Sequence, residues 1–241
     1  MGTSQSVNPS VKGNPQWGNL SKAITKASTE PNISKGHLQN IMNHFVNAVG
    51  GSSTGQSGSS SFGRAGISRA KRFMSFVSNV QSGGFATALN SIGIQDVSKL
   101  SINEFINYLL AYCSDGNSNL DETAANSAMN ELLKDILNSI ENLTDIETIF
   151  QNASFETQSE WLCSFFATYI VEFSSELFST RIFENDGDRV RTFSQIKDYI
   201  QHSLAELNLS VGLQNINWNG EQGTVIITNF QKEILEIWSH E

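Results

Sequence analysis

The chain has 241 residues and is 39% hydrophobic, with 15 Phe and 4 Trp, so it is long enough for one large domain or two small ones and too apolar for global disorder. No apolar run reaches the roughly 18 residues that cross a bilayer, and no hydrophobic stretch follows the start as a signal peptide requires, so a cytoplasmic protein is expected. The net charge of −9 is unevenly spread: residues 1–72 carry eight basic groups and one acid, Glu30, whereas residues 73–241 carry seven basic groups and twenty-three acids. Such an acidic body is a poor nucleic-acid binder, while the basic third either docks on an acidic partner or phosphate or simply solvates a surface.

The chain opens Met1-Gly2-Thr3-Ser4-Gln5-Ser6. A glycine behind the initiator methionine is easily uncovered and then presents an unhindered α-amino group. The same opening fits the N-myristoylation pattern, Gly2 followed by Ser6, although Gly2 also reads as merely permissive for methionine removal. Residues Val7 to Asn19 hold Pro9 and Pro15 and show no helical pattern, so a flexible N-terminal tail over 1–19 is expected, with a helical domain over 20–241.

Leu20 to Ala27 suits a short helix, and Ser34 is an N-cap for a second whose apolar positions are Leu38, Ile41, Met42, Phe45, Val46 and Val49. Residues 50–66 are almost wholly Gly and Ser and read as a flexible loop, without the P-loop spacing. An amphipathic helix follows, with Ile67, Ala70, Phe73, Met74, Val77 and Val80 on one stripe and Arg69, Lys71 and Arg72 off it. Together with Arg64, these cations either grip a phosphate or acidic surface or form a solvated face.

Gly83-Gly84 breaks that helix, and a short one follows over Phe85 to Ile92. Ser101 and Glu104 have capping-box spacing, and Leu100 with Phe105 that of a hydrophobic staple, which predicts a helix through Tyr112. Another is expected within Asn119 to Leu143. Thr144 to Glu147 and Thr157 to Glu160 repeat the capping-box spacing, the second ahead of the Phe-rich run from Trp161 to Leu177. After a turn at Asn185 to Asp188 comes a helix over Phe193 to Leu207. Ile216 to Trp218, Asn219-Gly220 and Thr224 to Thr228 read as a hairpin, and Phe230, Ile234, Leu235 and Trp238 as a last helix. The expected class is all-α, an irregular multi-helix bundle with a small β-hairpin near the C-terminus.

Catalytic or metal-binding constellations are not expected. Asp115 to Asn119 starts like a calcium loop, but its sixth position is Leu120 instead of Gly and its twelfth Asn126 instead of Glu, so it reads as a polar loop ending in a helix cap. Cys113 and Cys163 sit in apolar helical patterns as buried thiols, and His37, His44, His202 and His240 have no ligand spacing. Glu156, Glu160, Glu172 and Glu176 flank the Phe-rich helix as solvent-face acids.

The opening MGTSQS, the polar proline-containing arm, Trp17 and a small helical body without catalytic motifs together resemble the QatB family of bacterial Qat anti-phage defence systems. The resemblance implies a non-enzymatic defence component without cofactor, encoded beside an ATPase, a QueC-like (QatC-like) enzyme and a TatD-like nuclease. QueC-like enzymes activate a deazaguanine carboxylate with ATP and pass it to an amine. Gly2 would then be the acceptor, with Thr3, Ser4, Gln5 and Ser6 threading the partner's active site. A scaffold that assembles the ATPase and nuclease, or an N-myristoylated regulator, are the alternative roles. Neither direct nucleic-acid binding nor, on the leading reading, membrane attachment is expected.

Overall fold

In the computed structural model, which describes residues 15–55, 62–96, 100–184, 187–205 and 216–239, helix formation starts at Pro15. Proline suits the first helical position, where its missing N–H would have no intrahelical partner. Helix α1 (Pro15–Ser28) buries Trp17, Leu20, Ile24 and Ala27, so residues 15–19, read with the tail in the sequence, belong to it. The indole of Trp17 lies 6.2 and 6.4 Å, centroid to centroid, from Phe173 and Phe178. Residues 1–14, including Gly2 and Thr3 to Ser6, lie outside the described residues, as do residues 56–61 of the Gly/Ser loop, Asn185-Asp186 of the expected turn, and His240.

Ser34 caps α2 (Lys35–Val49), its Oγ accepting from His37 N–H at 3.3 Å, and Gly50 ends it at φ +104°. Then come α3 (Arg64–Gly83), α4 (Phe85–Ser91), α5 (Ile102–Cys113), α6 (Leu120–Ile136), α7 (Leu143–Gln151), α8 (Phe155–Glu184), α9 (Arg189–Ala205) and α10 (Glu221–Glu236). Ser101 and Glu104 form the expected capping box at the start of α5. The other two capping-box spacings find the helices but miss the caps. Asn142 Oδ1 accepts from Asp145 N–H ahead of α7, and Ser154 Oγ from Thr157 N–H at the start of α8. Neither true cap has Glu or Gln at the third helical position, the signature a sequence scan looks for.

Helix α8 runs through the middle of the molecule. Between Leu162 and Phe173 it buries Leu162, Phe165, Phe166, Ala167, Tyr169, Ile170, Val171 and Phe173, and with the polar Thr168 this burial extends round the helix. Such a helix must be covered on every side, and α1, α3, α6 and α9 do so. Helix α3 is the second hub, packing against α4, α5, α6, α7, α8 and α10. Phe73, Phe76, Phe105, Phe150 and Trp161 form one aromatic cluster on it, while Phe45, Phe62, Tyr169 and Phe173 form another beside its start.

All described secondary structure is helical, so the expected hairpin is corrected: Thr224 to Thr228 lie inside α10, and Asn219-Gly220 is its entrance, with Gly220 as N-cap. The β-branched run favours a strand locally, yet that preference spans only about 1 kcal/mol and yields to burial. The buried positions Gly223, Ile227, Phe230, Gln231 and Ile234 recur every three or four residues, which is the helical period. A Cβ at Gly223 would come within 2.8 Å of the Trp218 carbonyl oxygen, so glycine lets this helix close onto the turn before it. The two readings are distinguishable by mutation, because Val225 and Ile227 would share a face in a strand but not in a helix. Ile227, fully buried, is expected to lose about 2–5 kcal/mol on Ile227→Ala in urea unfolding. Val225, 51% exposed, is expected to change by less than about 0.5 kcal/mol on Val225→Ala, and equal losses would restore the strand.

Candidate functional site

Ahead of α3, Thr54-Gly55 and Phe62-Gly63 come together in a narrow neck. Thr54 Oγ1 lies 2.8 Å from Val49 O and 3.1 Å from Phe62 O, and Gln231 Nε2, from α10, donates to Thr54 O at 3.0 Å. Gly55 and Gly63 have φ of +86° and +104°, and a Cβ on Gly55 would fall 2.9 Å from the Gly63 carbonyl carbon. Both positions therefore require glycine, once for backbone conformation and again for contact.

Below the neck sits a buried carboxylate. Gly63 N–H is shared between Asp121 Oδ1 at 3.0 Å and Tyr169 Oη at 2.8 Å, and Ala65 N–H donates to Asp121 Oδ2 at 2.8 Å. The Tyr169 hydroxyl donates to Asp121 Oδ1. Burial pushes the Asp121 carboxyl above its ordinary range, against the pull of these hydrogen bonds. Burial and the Asp121 charge hold Tyr169 well above a normal phenol, so it stays a donor. Gly66 completes the fit: a Cβ there would meet Tyr169 Cε1 at 2.3 Å. The Gly63 and Ala65 amides at the start of α3, which a phosphate-binding loop would offer to its ligand, are here given to Asp121.

The four basic residues singled out in the sequence separate into two kinds. Arg69 is only 2% exposed and bonds Glu122 Oε1 at 2.5 Å through Nη2, so it is corrected from a surface cation to a core one. The same oxygen accepts from Ser114 Oγ at 3.0 Å and Asp115 N–H at 3.3 Å. Arg72 pairs with Asp115 Oδ1 at 2.5 Å and donates to the carbonyls of Tyr112 and Ser114, tying α3 to the α5–α6 loop. That loop ends as expected in a cap, Asn119 Oδ1 accepting from Glu122 N–H at 2.8 Å.

Arg64, exposed, and Lys71, half-buried, have no ion pair among the described residues. With Arg72 they line an open cleft of about 680 Å³ between α3 and α10, opposite Glu221, Thr224 and Thr228. Sequence reasoning missed Asp121, Tyr169, Glu221, Thr224 and Thr228 because their roles come from other helices and leave no local spacing to read. Burial raises Cys113 to about 12 and Cys163 to about 11, which keeps both thiols protonated at neutral pH.

Removing one partner of a buried ion pair strands the other charge. Glu122→Ala is therefore expected to cost about 3–5 kcal/mol in denaturant unfolding, and Lys71→Ala less than about 0.5 kcal/mol. A loss below about 1 kcal/mol for Glu122→Ala would return Arg69 to the solvated face that the sequence suggests.

Among the described residues no helix is long and apolar enough to cross a membrane. Curated proteins and solved structures give no match to the chain. A family model does: residues 50–238, from the neck through the buried carboxylate and the cleft to the last helix, match QatB, the Qat anti-phage system associated protein. The chain belongs to the QatB family and is thus a component of a Qat anti-phage system.

Proposed function

We propose that this chain serves its Qat system as a non-enzymatic acceptor protein in the cytoplasm, the α-amine of Gly2 receiving a deazaguanine acyl group from a QueC-like partner. The amine attacks the carbonyl carbon of the adenylated carboxylate, AMP leaves, and loss of a proton from nitrogen completes an amide. Glycine has no Cβ to obstruct this attack, and an α-amine with an ordinary pKa of about 8 is partly neutral at cellular pH. Thr3, Ser4, Gln5 and Ser6 lie in the partner's site as an extended segment, and the ATPase and TatD-like nuclease act alongside.

The observation that carries this reading is the opening Met1-Gly2-Thr3-Ser4-Gln5-Ser6 on a chain of the QatB family. The structure supports it at the root of the arm, where Trp17 is packed onto α8 between Phe173 and Phe178. From that root, residues 2–14 reach at most about 45 Å when fully extended, enough to enter a neighbouring protein's active site.

Intact-mass measurement after co-expression with the QueC-like enzyme tests the proposal. The expected result is a gain equal to the acyl group, mapped to residue 2, absent when the enzyme is omitted and strongly reduced by Gly2→Pro. An unmodified mass, or equal modification of Gly2→Pro, would sink it, and a myristoyl mass would assign the opening to lipid anchoring.

A further inference from the structure

The cations of the cleft between α3 and α10 are placed in a way that a purely structural role leaves unused. In a chain with 24 acids and 15 Lys and Arg, Arg69 and Arg72 are each given a carboxylate, whereas Arg64 and Lys71 are given none among the described residues. They are seven residues apart on one rigid helix, hence about 10.5 Å along its axis and within about 20° of the same face. Ser68 lies between them on the same wall.

We propose that this cleft is a docking groove for an extended acidic segment of a partner protein, with two carboxylates three residues apart engaging Arg64 and Lys71. In a polyproline-like segment, residues three apart share a face and are separated by about 9.3 Å, close to the spacing of the two cations. A single phosphoryl group does not span that distance. The walls set the orientation: Asp115, which also lines the cleft, is neutralised by Arg72, whereas Glu221 on the opposite wall repels a carboxylate and Thr224, Thr228 and Asn229 offer side-chain hydrogen bonds to a peptide backbone. Acidic side chains therefore face α3 and the main chain faces α10. Val225, an exposed apolar side chain on the cleft wall, supplies a small apolar contact. The groove stands apart from the acceptor reading of Gly2, and either holds if the other fails.

The test uses the full chain labelled with nitrogen-15, titrated to millimolar concentrations with the blocked peptide Ser-Gly-Glu-Ser-Ser-Glu-Gly-Ser. Amide shifts are expected over 64–72 and 221–229, fading as salt screens the pairs. Arg64→Gln and Lys71→Gln should each weaken binding about two- to five-fold, the range typical of exposed ion pairs. Glu221→Gln, which removes the repulsion, should strengthen it about two-fold, and a peptide with Gln for both Glu should not bind. These are surface substitutions, and an unchanged melting temperature shows that the fold is intact. The proposal is overturned if the cleft amides do not respond, or if the variants bind the peptide as the parent does. It is equally overturned if inorganic phosphate moves the same amides at lower concentration than the peptide, or if the cleft is occupied by self-association that the same substitutions abolish.

Discussion

Asp121 holds together a region that would otherwise have little reason to stay in place. A Gly/Ser segment loses much entropy on ordering and has almost no apolar surface to bury in return. The chain anchors it at the far end by aiming a buried carboxylate at two backbone amides, Gly63 and Ala65, and by adding the Tyr169 hydroxyl as a third donor. Hydrogen bonds to a charged acceptor are each worth about 1.5–3 kcal/mol, which offsets much of the cost of removing the carboxylate from water. The start of α3 is fixed by this group, and the position of α3 decides where Arg64 and Lys71 stand. The cleft thus depends on an interaction that lies outside its own lining.

The same constraint explains the glycines that surround it. Tyr169 reaches Asp121 only because Gly66 leaves its ring room against α3, and Gly63 adopts a left-handed conformation that brings its amide to both oxygens. Phe62 then stacks on Tyr169 with centroids 4.5 Å apart, which joins the loop's end to the aromatic core of α8. Polar clamp and apolar stack meet on one side chain, so neither can shift alone.

Much of the helical pattern was legible in sequence wherever the determinant is local. Ser34, Ser101 with Glu104, and Asn119 announce helix starts because a cap and its recipient amide lie within three residues. Arg69 misleads for the opposite reason: a stripe of six apolar residues implies one buried face, but α3 is covered by six helices, and the acid that neutralises Arg69 is 53 residues away. Thr224 to Thr228 mislead because a short β-branched run satisfies the strand pattern more neatly than the longer helical stripe it belongs to. The basic cleft was half visible, since Arg64, Lys71 and Arg72 were identified, while its second wall comes from residues some 150 positions later.

The contact between Gly55 and Gly63 gives the neck a further property. Because Gly55 and Gly63 approach each other at their backbones, these two positions are held a short, fixed distance apart whatever the length of sequence between them. For a chain whose ends are pinned together, each doubling of length costs only about 0.6 kcal/mol. An insertion between the two positions is therefore expected to cost the helical body little, whereas Gly55 and Gly63 themselves have no freedom to change.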